Sequence, residues 1–402
     1  MANRPDIQPP PDHRAKAASL LAETAANSGL APVDLERFWA DQSHSEPFAP
    51  SSPQCPLGVA GMSGECVWDE LGIPEDYYRY QHEPVFRRDL NVAYNNLAEK
   101  IVGRRLLDEK LDDPTLHYPP VKMLPDLFEA KNVWHDWSWW LQQSANSEDE
   151  LAALLDRVDA RLASLDTLRA FMLPPNWDAE KKRLTDLGIK PPLYRGQRGP
   201  CTFATSIFGT ENTLMLVLDN PTLAIRLRDT ILRAMLGIAR VLDLEAGYTP
   251  QTAPHGFGFW DDNCCLFNPE MYELFGYPIL QGIFDVYSPD LADNRFQHSD
   301  SPMAHLLALL GRLNLTGTNF GPTVTVQEIR RHLPRAVIDG QLAPYTFSNN
   351  EHERMICEFL RDFDASLPAR GLRFSTAGSI NNGSRLTSLR LLMSTVQHFG
   401  RY

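Results

Sequence analysis

The chain has no apolar run approaching the roughly eighteen residues that a membrane-spanning helix needs, so a membrane role is not expected. Its basic residues are also scattered, with no run longer than Lys181-Lys182-Arg183. Its formal net charge is −13, which repels phosphate backbones and argues against a nucleic-acid partner. The six cysteines (Cys55, Cys66, Cys201, Cys264, Cys265 and Cys357) form neither a CxxC pair nor a disulfide framework. A reducing, cytoplasmic compartment is the expectation. Cys264 and Cys265 are adjacent and would bridge each other only under strain. The opening MANRPDIQPPPDHR lacks an apolar signal core and reads as a flexible lead-in. The GxGxxG, GxxxxGK[ST] and GxSxG signatures are missing, and with them the usual marks of dinucleotide, nucleoside triphosphate and serine-hydrolase chemistry.

What is present is a chain of 402 residues, 43% hydrophobic, enough to bury a large core. Short helices are expected over 14–45 and a Pro/Gly/Ser-rich loop over 46–65. A helix is expected from Pro84 to about Asp108 and another from Glu148 to about Phe171, capped by Ser147. Between them the chain is irregular and aromatic. Trp134, Trp137, Trp139 and Trp140, beside His135 and Asp136, read either as pocket lining or as filler in the core of a cap. From Gly199–Pro200 the rhythm changes. CTFATSIFG reads as a strand around Thr202, and 221–243 as a helix opened by Pro221. Apolar segments then alternate with helical ones. GFGFW precedes a helix at 269–284, and a segment ending at Phe296 precedes one at 302–311. LNLTG, AVIDG and LRFST precede helices at 325–333, 351–363 and 385–399. This alternation calls for parallel strands with right-handed crossovers. An open doubly wound sheet also satisfies it; the missing cofactor and nucleophile signatures favour a barrel.

In such folds chemistry gathers at the C-terminal ends of strands, and polar residues follow each apolar segment here. Asp261, Asp262, Asn263, Cys264 and Cys265 follow GFGFW, and His298, Ser299 and Asp300 follow the next strand. Asn319, Gln341 and Asn381 recur after the later ones and read as hydrogen-bonding substrate residues. If the strand runs through His298-Ser-Asp300, alternation puts His298 and Asp300 on one face. They then suit a divalent metal, with Asp262 or Cys264 completing the set. Without metal, Asp300 would orient His298 as an acid or base. Of Asp261 and Asp262 only one can face the pocket, the other capping a helix or pairing outside. Cys264 also reads as a small buried side chain. Arg195 and Arg198 are candidates for an anionic substrate group, and Trp68 and Tyr78 for a cover over it.

GPCTFATSIFGTENTLMLVLDNPTLAIRLRDTI, WDDNCCLFNPEMYELFGYPIL, RFQHSDSP, AVIDGQLAP and LRFSTAGSINNGSRLTSLRLLMSTVQHFG together resemble the uroporphyrinogen decarboxylase superfamily, which includes zinc-dependent methyltransferases working with corrinoid proteins. The resemblance is clearest over 199–402. It implies an α/β fold, a single (β/α)8 TIM-type barrel over 66–402 with additional N-terminal helices, residues 1–65 being a flexible and helical extension. The decarboxylase motif PxWxMRQAGRY is missing. His298 and Asp300 stand where the methyltransferases carry His-x-Cys, and Gly378 or Ser379 stands where their last cysteine would be. An oxygen-richer, harder centre follows. The resulting expectation is methyl transfer or demethylation of a small O- or N-methylated substrate, with zinc as the expected metal and a corrinoid protein as partner. Alternatives are a decarboxylase or other lyase acting on a small carboxylic acid, with uroporphyrinogen itself a weaker fit, and a non-catalytic small-molecule binding protein. A homodimer stays open.

Overall fold

The structure is a computed structural model and describes residues 8–135 and 137–402. The chain divides into two compact units. Among the described residues, one comprises 8–111, 299–307 and 316–402; the other comprises 112–135, 137–298 and 308–315. Six parallel strands follow one another in sequence order within a sheet: β3 (Gly196–Arg198), β4 (Phe257–Trp260), β5 (Arg295–Ser299), β6 (Gly317–Phe320), β7 (Val337–Leu342) and β8 (Leu372–Thr376). A separate antiparallel hairpin is made of β1 (Asn132–His135) and β2 (Ser138–Leu141). Among the described residues no helix is long and apolar enough to cross a membrane.

In the 112–298 unit, β3, β4 and β5 pair so that Gly196, Gly258 and Phe296 form one row and Arg198, Trp260 and His298 another. Phe259 packs edge-on against Phe284 of helix Gly276–Tyr287, so the odd-numbered β4 side chains face helices. Alternation sends Trp260 to the opposite face. The long helix Pro221–Glu245 forms where expected: Pro221 opens it and the Asn220 side chain accepts the Leu223 N–H. Its buried stripe of Ala224, Leu227, Ile231, Ala234, Met235 and Ile238 has the three-and-four spacing of one helix face.

Two expectations fail here for local reasons. CTFATSIFG is not a strand but the body of helix Pro200–Phe208, and the strand lies just before it at Gly196–Arg198. Thr202 and Thr205 read as strand formers. Yet Pro200 starts the helix, the Asp261 carboxylate accepts the Thr202 N–H at 2.8 Å, and the Thr205 hydroxyl bonds back to Cys201 O. The expected helix 148–171 is two, Glu148–Arg161 and Leu165–Met172, because Ser164 accepts the Thr167 N–H and caps a second start. Ser147 does cap the first, accepting the Glu150 N–H.

The four tryptophans lie on the β1–β2 hairpin. Trp137, Trp139 and Trp140 are 68%, 50% and 58% exposed, which overturns the core-filler reading; Asp136 lies outside the described residues.

In the other unit, β7 pairs with β6 at Val337 and Ile338 and with β8 from Ile338 to Leu342. On the far side of β8, Leu57 makes a single parallel bridge to Phe374, and the Phe374 N–H donates to Pro56 O. The 46–65 segment expected to be loop thus supplies a one-residue neighbour to the sheet. Helix Pro11–Ala26 packs on helix His352–Ser366, burying Ala17 and Leu20, with His13 Nε2 2.9 Å from Asp364. Helices Pro84–Val102 and Leu386–Phe399 also pack together. The strands run further than their apolar segments suggested: His298 lies in β5, Asn319 in β6, and Asp339 and Gln341 in β7.

Candidate metal centre

The C-terminal ends of β3, β4 and β5 present Arg198, Trp260 and His298 side by side on the face away from the helices. The face is open because its preceding row is small. Gly196 and Gly258 leave room for the Trp260 ring: a Cβ on Gly196 would meet it at 2.8 Å, one on Gly258 at 3.6 Å. Trp260 is 47% exposed, and its ring lies 6.0 Å from that of Phe296. The result is an aromatic surface, its two rings tilted 53° to each other, beside a guanidinium and an imidazole. Trp260 was not singled out from sequence. The signal was there in the two glycines one row back, but strand register is needed to see that they face the same ring.

Immediately after Trp260 the two aspartates separate, as the alternation argument requires. Asp261 turns inward and is fully buried; its backbone N–H donates to His298 O at 2.9 Å and its Oδ1 receives the Thr202 N–H. Burial raises its pKa to about 6, against the lowering effect of the hydrogen bonds from Thr202 and Cys201; the Asp262 charge adds to the rise. Asp262 turns outward, with Oδ1 3.7 Å from His298 Nε2. Thus Asp261 fixes the start of helix Pro200–Phe208 while Asp262 confronts the imidazole.

Asp300 follows two residues after His298. Its surroundings within its own unit are made by glycines: a Cβ on Gly321 would collide with the Asp300 carbonyl, and one on Gly378 with the Asp300 carboxylate. The Gly321 N–H donates to Ser299 O at 2.8 Å and holds this turn against the end of β6. Gly378 has φ +118°, and the Asp300 carboxylate takes up the space that a Cβ there would need.

Asp262, His298 and Asp300 each offer a ligand atom, and these atoms lie within 4.8 Å of one another. Two donors about 2.1 Å from a common ion are separated by roughly 3.0–3.4 Å, so the 3.7 Å His298–Asp262 spacing needs a contraction of only tenths of an ångström. One nitrogen and two carboxylate oxygens suit a borderline or hard divalent ion. A second such group, His255, Asp290 and Asp293, lies in the loops before β4 and β5. There Asp293 Oδ2 is 2.9 Å from His255 Nδ1 and accepts the Asp290 N–H, as a turn-closing carboxylate does.

The remaining candidates fall in different places. Cys264 is fully buried and stands outside the three converging ligands. Arg198 is exposed at the end of β3, whereas Arg195 is committed to Asp243 at 2.6 Å and to the carbonyls of Pro254 and Tyr194. Asn319 donates from Nδ2 to Asp339 O and Thr376 O, tying β6 to β7 and β8. Gln341 is buried and donates to Val324 O and Gly321 O. Asn381 is half-buried, and its carbonyl accepts the Cys66 thiol. Trp68 is buried against Tyr77 and Tyr80, while Tyr78 is 56% exposed and stacks on His82.

The sequence matches no family model and no curated protein. Its structure is similar to that of a methyltransferase from Methanosarcina mazei, with a TM-score of 0.52 over 91% of this chain and 98% of that one. At 14% identity the likeness is one of fold alone, for a chain that here has N-terminal helices and a parallel sheet.

Proposed function

We propose that this chain is a divalent-metal-dependent enzyme that transfers or removes the methyl group of a small O- or N-methylated substrate. We read its fold as a TIM-type barrel of the uroporphyrinogen decarboxylase superfamily. The observation that carries the reading is the convergence of Asp262, His298 and Asp300 at the C-terminal ends of β4 and β5, where such folds keep their chemistry. These three residues hold the metal. A bound divalent ion supplies Lewis-acid stabilisation of the heteroatom that loses or gains the methyl group. The oxygen-rich donor set admits zinc, iron or manganese and makes activation of a soft thiol acceptor less favourable than cleavage of an O-methyl or N-methyl bond. Trp260 provides an apolar face for the substrate body, and Arg198, on the same register row as His298, pairs with an anionic substituent. A corrinoid-carrying partner protein is the proposed methyl acceptor.

The exposed Arg198 also favours a second reading, a lyase that decarboxylates a small acid. Arg198 holds the substrate carboxylate there, and His298 delivers the proton to the carbanion left after CO2 departs. Assays of purified protein on methylated amines and ethers with a corrinoid acceptor, beside CO2 release from small acids, separate the two. Activity in neither assay from metal-replete protein would count against both.

A further inference from the structure

A cavity of about 170 Å3 opens on the 112–298 unit between the C-terminal half of helix Pro221–Glu245, the end of helix Gly276–Tyr287 and the loop before β4. It lies toward the N-terminal end of β4, whereas Asp262 and His298 follow or end their strands at the other side. Leu236, Leu244, Pro250, Ala253 and Val286 supply its apolar walls. Leu244 and Val286 are 47% and 53% exposed, so these aliphatic groups line an open recess.

Two cationic side chains, Arg240 and Lys190, stand at or beside the cavity. Arg240 lines the cavity, is exposed, and makes no hydrogen bond or ion pair among the described residues. Lys190 stands 5.1 Å over the ring of Tyr248, another wall residue. Two of the acids nearby are already matched. Asp243, buried in the wall, pairs with Arg195 at 2.6 Å, and Arg195 also stacks 4.4 Å over Tyr287. His255, at the rim, faces Asp293 at 2.9 Å, with Asp290 beside them. An unpaired guanidinium above an aliphatic recess selects an anion with an apolar body. Cavities of roughly 150 Å3 accommodate benzene, which sets the size of that body.

We infer that this cavity binds a small cyclic or aromatic monocarboxylate, its carboxylate on Arg240 and its ring against Leu236, Leu244 and Val286. The site is separate from the proposed metal centre and does not depend on that reading.

The test is a calorimetric titration of the full chain with benzoate, cyclohexanecarboxylate and the neutral isostere benzamide. It is run on the wild type, Arg240→Gln, Val286→Glu and the double variant His298→Ala/Asp300→Ala. Arg240 and Val286 are both exposed, so their variants keep the fold, and a melting curve confirms it. Both acids should bind saturably. Benzamide should bind about tenfold or more weakly, Arg240→Gln should weaken the acids by about tenfold or more, and Val286→Glu should abolish binding. The double variant should bind as the wild type does. No saturable binding of either acid, equal binding of benzamide, indifference to both cavity variants, or loss in the double variant would each overturn the inference.

Discussion

Gly378→Ala isolates the third ligand of the proposed metal centre. The backbone at Gly378 has φ +118°, a region that residues with a Cβ occupy at a cost of about 1–3 kcal/mol. The new methyl group would also overlap the Asp300 carboxylate, so that carboxylate must swing away. For a chain of 402 residues the strain alone corresponds to a drop of about 1–4 °C in melting temperature. Gly188→Ala is the matching control: φ is +80° there and the added Cβ meets open space, so it carries backbone strain and nothing else. Metal affinity separates the two effects. Displacing one of three ligands should weaken binding by at least the roughly 10–100-fold that losing a supporting contact costs. Gly188→Ala should leave it unchanged. Competition titrations against a chromophoric chelator measure both. If Gly378→Ala binds metal as tightly as Gly188→Ala does, Asp300 is not a ligand, or its carboxylate has room to spare, and the reasoning fails.

Glu245 should set part of the acid stability. Burial raises its pKa, but hydrogen bonds from Arg169 at 2.6 Å, Lys181 at 2.8 Å and Trp177 at 2.8 Å outweigh this and bring it from 4.5 to about 2. A lowered carboxyl pKa contributes stability that is present above pH 4.5 and disappears as pH falls through 2. Discounted for the partial exposure of Arg169 and Lys181, that amounts to about 1–2 kcal/mol. Glu245→Gln should therefore melt lower than wild type at pH 7 and converge with it toward pH 2; parallel curves across that range would contradict the assignment. Gly196→Ala should move Trp260, since the added Cβ would lie 2.8 Å from its ring. A changed near-ultraviolet circular dichroism spectrum is expected, with little loss of stability because Trp260 is half exposed. The difference should vanish in a Trp260→Phe background, and its persistence there would locate the change elsewhere.

Much of the chain's order was readable from periodicity. Pro221–Glu245, His352–Ser366 and Leu386–Phe399 appear close to their expected limits because each has a continuous buried stripe and a defined start. The strand ends were less legible. Polar residues such as Asn319 and Gln341 read as loop because their side chains look solvent-seeking, yet each bonds to carbonyls of neighbouring strands or turns and stays within its strand. CTFATSIFG misled for the opposite reason: its β-branched residues favour a strand, but a cap from Asp261, more than fifty positions away, decides for the helix. At the candidate site, alternation separated Asp261 from Asp262, but β5 ends at Ser299, so Asp300 comes near His298 through the turn after the strand and not through strand alternation. Alternation gave no access to Trp260 or to the glycines around Asp300, since these depend on which strands lie side by side and on how closely chain segments approach.

Asp262, His298 and Asp300 are proposed to hold a divalent metal. Elemental mass spectrometry on untagged protein purified without chelator or added metal tests it most directly, beside His298→Ala/Asp300→Ala and with each sample then re-exposed to zinc, iron and manganese. About one ion per wild-type chain is expected after re-exposure, and its loss in the double variant. Equal metal in both proteins, or none in the wild type after re-exposure, would contradict it.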